Sequence, residues 1–289
     1  MNPATRNAEP TWDVVIRPRE PWWRLDLREF WHYRDLLMLL VRRDLTAQYK
    51  QTVLGPAWLV MQPLLTTITY TLMFGLVARL APAGIPALLF YLSGIVPWTY
   101  FSGVVTKTSR TFASNAAVLT KVYFPRLIMP VSTTLSTLVT FLVQFALLLA
   151  IIAGYALFAG FRWTPSPSLV LLPVIILLMS LLGLGSGILV SALTNKYRDL
   201  GFLVGFGVQL LMFASPVIFP MELVAKHPTM LAVLELNPMT PVINAVRAML
   251  FGGTLPWSGL GYAAAASAVV LTAGLALFQR IERSFADVV

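Results

Sequence analysis

From Arg42 to Arg79 the chain reads RRDLTAQYKQTVLGPAWLVMQPLLTTITYTLMFGLVAR. Arg42, Arg43, Asp44 and Lys50 crowd its start, and no charge follows between Leu54 and Ala78. A helix needs roughly 20 apolar residues to cross about 30 Å of hydrocarbon. The uncharged run is long enough to be one crossing.

Working outward, the same pattern recurs at Pro86 to Thr106, Leu127 to Phe161, Thr164 to Asn195, Gly201 to Met221 and Leu255 to Gln279. With 57% hydrophobic and 11% charged residues, this predicts an all-α integral membrane protein of six transmembrane helices. A cytoplasmic N-terminus gives one side 17 of the 21 Lys and Arg, leaving Arg79, Arg162, Lys226 and Arg247 opposite. That asymmetry obeys the positive-inside rule and puts both termini in the cytoplasm. The net charge of +9 is therefore topological, with no nucleic-acid partner implied. No cleavable leader is expected, because the first apolar run, Leu36 to Val41, is short and follows a charged segment.

Three parts follow. Residues 1–53 form a cytoplasmic lead-in ending in an amphipathic interface helix, in which Phe30, Tyr33, Leu37, Leu40 and Val41 recur at helical spacing among charges. Residues 54–279 form the membrane domain, with a cytoplasmic segment at 107–126 and an external one at 220–256. Residues 280–289 are a cytoplasmic tail. Pro228, Pro238, Pro241 and Pro256 break the external segment into apolar pieces too short to cross, which predicts a re-entrant helical hairpin. Pro63 is expected to kink the first span. Thr133, Ser136, Thr137, Thr140 and Gln144 form a polar stripe on the third span, and Gly183, Gly187, Ser191, Gly201 and Gly205 form small faces on the next two. Such faces serve helix packing or transport.

The chain has no P-loop and no cysteine, and its two histidines, His32 and His227, fall on opposite sides of the membrane. The spans carry no Asp, Glu, Lys or Arg, whereas ion-coupled transporters use ionisable groups at membrane depth. An enzyme is not expected, and any driving force must come from another chain. Arg-Asp-Leu recurs at 34–36, 43–45 and 198–200, where the aspartates suit helix caps and the arginines suit phosphate or a partner.

The run from Arg42 to Trp58 with Gln62-Pro63, the stretch Asn115 to Pro130, and Ser215 to Pro220 followed by Asn237-Pro238 and Arg247 together resemble the membrane subunits of type-2 ABC polysaccharide exporters, the O-antigen, capsule and teichoic-acid permeases. The likeness runs from Trp23 to the C-terminus. It implies a homodimer in the bacterial inner membrane carrying two copies of a separate ATPase, which holds the ATP and Mg while this chain holds no cofactor. It also implies a lipid-linked glycan as substrate. A drug or small-lipid exporter of the same fold, and a passive channel or scaffold, are the alternatives. Mapped here, the ATPase-coupling residues are Asn115, Leu119, Lys121, Phe124 and Arg126. Arg42, Arg43 and Lys50 would attract the phosphate of an anionic headgroup. The resemblance points to the first and fifth spans for the path, with Trp58, Gln62, Thr66, Thr69, Tyr70 and Phe74 on one and Phe202, Phe206, Gln209 and Phe213 on the other. Pro216, Pro220, Asn237, Pro238 and Arg247 mark the external segment.

Overall fold

The computed structural model describes residues 31–50, 52–115, 124–194 and 200–286, and all regular structure among these is helical. Helix α1 (Arg34–Tyr49) precedes the first span, which is a composite. A 3-10 turn (Gly55–Ala57) leads into α2 (Trp58–Tyr70), and a π-helical stretch (Thr71–Val77) completes it. Then come α3 (Ala87–Ser114), α4 (Ile128–Phe158), α5 (Leu172–Thr194), α6 (Leu200–Phe213), the short α7 (Met221–Val224) and α8 (Pro228–Leu236), α9 (Met239–Phe251) and α10 (Trp257–Ala286).

Five of the six expected crossings are helices long and apolar enough to span a bilayer: Gly55–Val77, Ala87–Phe112, Ile128–Phe158, Pro167–Thr194 and Trp257–Gln279. The chain is a multi-pass membrane protein. The remaining stretch differs, since α6 has only 14 residues, about 21 Å of helix. It stops at Phe213 because Pro216 brings no N–H to continue the ladder, and the freed carbonyls find other donors. Ser215 Oγ donates to Leu211 O at 2.7 Å, and Asn237 Nδ2 donates to Ala214 O at 2.8 Å. From Ser215 to Ile218 the chain is buried in a turn.

The core is organised around α3. Of its most apolar stretch 78% is buried within the chain, against 11% for the first span. Tyr91, Tyr100, Leu89, Leu92, Val96 and Val104 are essentially inaccessible. Glycines set how closely the neighbours approach. A Cβ on Gly187 of α5 would lie 2.5 Å from Thr108 Cβ of α3, and one on Gly185 would lie 2.7 Å from the Leu271 backbone of α10. Helix α5 is thus pressed between α3 and α10, as small residues permit in membranes. Among the described residues, a Cβ on Gly201 or Gly205 of α6 would meet nothing within 4 Å, so no packing neighbour there requires either to be glycine.

Pro63 lies inside α2. Lacking an N–H, it leaves the Leu59 carbonyl without its helical donor. Gln144 Nε2 of α4 supplies one at 3.2 Å, and Thr67 Oγ1 bonds the Pro63 carbonyl at 2.6 Å. The other polar side chains of the α4 stripe are satisfied within the fold: Thr133, Ser136 and Thr137 bond carbonyls of their own helix, and Thr133 also meets Thr111 of α3 at 3.3 Å. Packing accounts for that stripe.

Candidate functional site

Two groups of the residues singled out in the sequence gather at the ends of α3: Arg43, Asn115 and Phe124 at one, and Pro216, Asn237 and Arg247 at the other. At the Ser114 end, α1 lies against the start of α4. Its apolar side places buried Leu40 on Phe124, Ile128 and Met129, with Tyr33, Leu36 and Leu37 around them. Its polar side reaches α3. Asn115 Nδ2 donates to the Thr111 carbonyl at 2.8 Å, which turns its Oδ1 outward to accept from Arg43 Nη2 at 2.9 Å. The same Nη2 and Nε of Arg43 donate to Asp44 Oδ1 at 2.9 and 3.1 Å. One turn further along, Lys107 Nζ donates to Gln48 Oε1 at 3.2 Å. Helix α1 therefore touches both flanks of residues 116–123, with Asn115 before them and Phe124 after.

The sequence placed Arg43 with Arg42 and Lys50 as phosphate-attracting cations, and Asn115 with the coupling residues. The structure joins the two sets through one hydrogen bond. Arg42 and Lys50 are exposed on α1 and at its C-cap, Phe124 is buried, and Arg126 is half-buried. Leu119 and Lys121 lie outside the described residues. Gln48 and Lys107 were not singled out from sequence. Lys107 is the first charge after a long apolar run, which marks where α3 leaves the hydrocarbon. Next to it, Arg110 Nη2 donates to the Gly201 carbonyl of α6 at 3.1 Å.

At the opposite end of α3 the motif residues of the 214–256 region converge. Arg247 of α9 donates through Nη1 to the Pro216 carbonyl and through Nη2 to the carbonyls of Val217 and Phe90 at 3.1 and 3.2 Å. Its guanidinium lies 3.8 Å from the centroid of the Phe90 ring, a cation–π contact. Asn237 donates to Ala214 O and Ser215 Oγ and accepts from the Met239 N–H at 2.9 Å. Trp163 Nε1 donates to Leu250 O at 2.8 Å, and Ser166 N to Met249 O at 2.9 Å, which fixes the end of α9. Pro220 is buried beside the turn and Pro238 caps α9. Gly94 was not singled out, yet a Cβ there would lie 2.7 Å from Arg247 Nη2 and 3.2 Å from Val217 Cα. A glycine inside an apolar helical run, as at Gly103 of the same helix, was its sequence signal.

The expected path residues divide. Trp58, Gln62 and Thr69 of α2 and Phe202, Phe206, Gln209 and Phe213 of α6 are exposed, and Thr66 is half-exposed. Tyr70 and Phe74 turn inward, stacking edge-on at 5.4 Å, with Tyr70 also 6.4 Å from the Tyr91 ring of α3. The first span meets α6 through Tyr70 Oη and Met212 Sδ at 3.7 Å, while among the described residues Trp58, Gln62 and Thr69 and the aromatic stripe of α6 stay exposed.

Comparison with known proteins adds an independent line. Residues 35–251 match the family described as ABC-2 type transporter. The O-antigen export system permease protein RfbA of Myxococcus xanthus is 30% identical over 262 residues, covering 90% of this chain and 98% of that protein. A Klebsiella pneumoniae protein of the same name is 26% identical over 254 residues, covering 88% of this chain and 95% of its own length.

Proposed function

The chain belongs to the ABC-2 type transporter family, and on that premise we propose that it is the transmembrane subunit of an exporter that carries a lipid-linked, O-antigen-like polysaccharide outward across the bacterial inner membrane. The observation that carries this reading is the near full-length similarity to proteins named as O-antigen export permeases. Two copies of the chain pair in the membrane with both termini cytoplasmic. Two copies of a separate ATPase, holding ATP and Mg, supply the energy. Helix α6 and the turn after it complete a sixth crossing, and α7 to α9 form the re-entrant outer hairpin.

In this arrangement the Ser114 end of α3 is cytoplasmic, and residues 107–126 receive the ATPase. Asn115, Leu119, Lys121, Phe124 and Arg126 transmit its movement, with α1 strapped across the segment. Arg42, Arg43 and Lys50 draw the substrate's phosphate to the inner surface, where clustered cations attract anionic headgroups. The exposed faces of the first span and α6 suit the glycan. Aromatic rings accept the apolar faces of sugars while Gln62, Thr69 and Gln209 exchange hydrogen bonds with hydroxyls, the mixture found in ligand sites generally. Thr69 Oγ1 bonds its own helix at Leu65 O, 2.9 Å away, so it offers one further acceptor site.

The test is reconstitution. The chain should co-purify with a nucleotide-hydrolysing subunit, and vesicles holding both should move a lipid-linked glycan only with ATP. Replacing residues 114–126 with a Gly/Ser linker should abolish stimulated hydrolysis while leaving the dimer assembled. A chain that recruits no ATPase would be a passive scaffold or channel instead.

A further inference from the structure

Arg43 stands where the two proposed duties of the inner surface meet. Its Nη2 is shared between Asp44 Oδ1 and Asn115 Oδ1, each at 2.9 Å, and its side chain keeps 40% of its surface exposed. The two acceptors are unequal. Asp44 is a neighbouring carboxylate on the same helix, so it holds the guanidinium wherever α1 goes. Asn115 is a neutral amide at the C-cap of α3, and its bond is one of two that tie α1 to that helix on the polar side, the other running from Lys107 to Gln48. A phosphate is planar-fork compatible, charged and a far stronger partner for guanidinium than an amide oxygen. Approaching from the membrane surface, it competes with Asn115.

We infer that Arg43 is a substrate-sensing catch: a phosphate or pyrophosphate group at the inner surface displaces the Asn115 amide from its guanidinium and unhooks α1 from the coupling end of α3. This rests on the exporter reading above. It adds that occupancy of the cationic surface is reported, through one exchanged hydrogen bond, to the segment on which the ATPase acts. The apolar contact of Leu40 with Phe124, Ile128 and Met129 offers an anion nothing to displace, so it stays made and keeps α1 near its place.

Competition has a signature that a merely structural strap lacks, because the two partners of one bond should shift phosphate affinity in opposite directions. The experiment uses the complete complex with its ATPase in phosphatidylcholine nanodiscs. The probes are a polyprenyl pyrophosphate, phosphatidic acid, and inorganic pyrophosphate in solution. Arg43→Gln should weaken binding of the pyrophosphate lipid by about tenfold, the scale of one charge-assisted hydrogen bond. Asn115→Ala should strengthen it by roughly three- to tenfold, and Asn115→Asp, which tightens the catch, should weaken it. The chain has no cysteine of its own, so spin labels at Leu39→Cys and Ser114→Cys report the separation directly. The pyrophosphate lipid should lengthen it, and Asn115→Ala should show the longer separation without any probe.

A response confined to the pyrophosphate lipid assigns the catch to a carrier lipid. An equal response to phosphatidic acid assigns it to bulk headgroups, and a response to inorganic pyrophosphate alone assigns it to a soluble anion. Affinities that move the same way in Arg43→Gln and Asn115→Ala, or a label separation that ignores every probe, overturn the inference. Glycan-stimulated ATP hydrolysis is followed in the same samples. If it persists while the affinities fail to diverge, the catch falls and the exporter stands; if no ATPase associates, the exporter reading itself falls.

Discussion

At one end of α3, Arg247 sets its guanidinium against three backbone carbonyls and an aromatic face. At the other, Arg43 reaches one amide and one carboxylate from a partly exposed position. The acceptors differ in kind. Carbonyls in a buried turn cannot rotate away, and a glycine at 94 removes the Cβ that would push the arginine off. Asp44 and Asn115 are side chains at the surface, free to exchange partners with water or an anion. Two arginines thus do opposite things: one fixes the 214–256 segment to the central helix, the other makes a bond that can be broken and remade.

The Arg247 end is therefore where substitution should do most damage. Arg247→Met keeps the length of the side chain but leaves the Pro216, Val217 and Phe90 carbonyls short of a charged donor, with a loss of about 3 kcal/mol or more. In practice the detergent-solubilised protein should show a greatly lowered unfolding temperature or fail to elute as one species. Arg247→Lys should rescue only partly, since an ammonium is a point charge and not a fork. Gly94→Ala should cost about 2 kcal/mol by overpacking against Arg247 and Val217. Near-normal stability in both would mean that the Arg247 end is no anchor.

An intermediate case lies between the ends. Gln144→Leu removes the donor that Pro63 makes necessary at Leu59 O, and the buried carbonyl left behind should cost about 1 to 2 kcal/mol. Pro63→Ala restores a helical N–H to that carbonyl, so Gln144→Leu should be milder in that background. A double-mutant cycle on unfolding midpoints measures the coupling. Additive effects would show that Gln144 has another task.

Much of this was legible in the chain, for identifiable reasons. Long uncharged runs and the asymmetry of Lys and Arg predict spans because the bilayer admits few other structures. Five stretches are helices with ends close to the predicted ones. Helix α6 is shorter because Pro216 ends its ladder, and the Ala214 carbonyl beyond it is taken by Asn237, 23 positions away, a partner that no local stretch of sequence contains. Motif residues were recognised but not their pairing. Nothing in the local pattern of Arg43 says that Asn115 will accept from it, since the two are 72 positions apart and meet only when α1 folds across α3. Gly94 and Lys107 escaped notice for the same reason: each matters through what a different segment places beside it.

The Arg43 end supplies the smallest expected effects, and they test the comparison most sharply. Asn115→Ala should move the unfolding midpoint by an amount worth about 0.5 kcal/mol, because an exposed donor pair regains water on release. Lys107→Met should do less still. It keeps the aliphatic stem along α3 and gives up one bond to Gln48, both partners being exposed. A change of a few tenths of a kcal/mol is expected in the same melting assay. The reasoning turns on exposure: a bond that water can replace holds position without holding the fold. If Lys107→Met instead cost as much as Gly94→Ala, α1 would be fastened to α3 as firmly as α9 is. Arg43 would then have no slack to exchange one partner for another, and the two ends of α3 would be anchors alike.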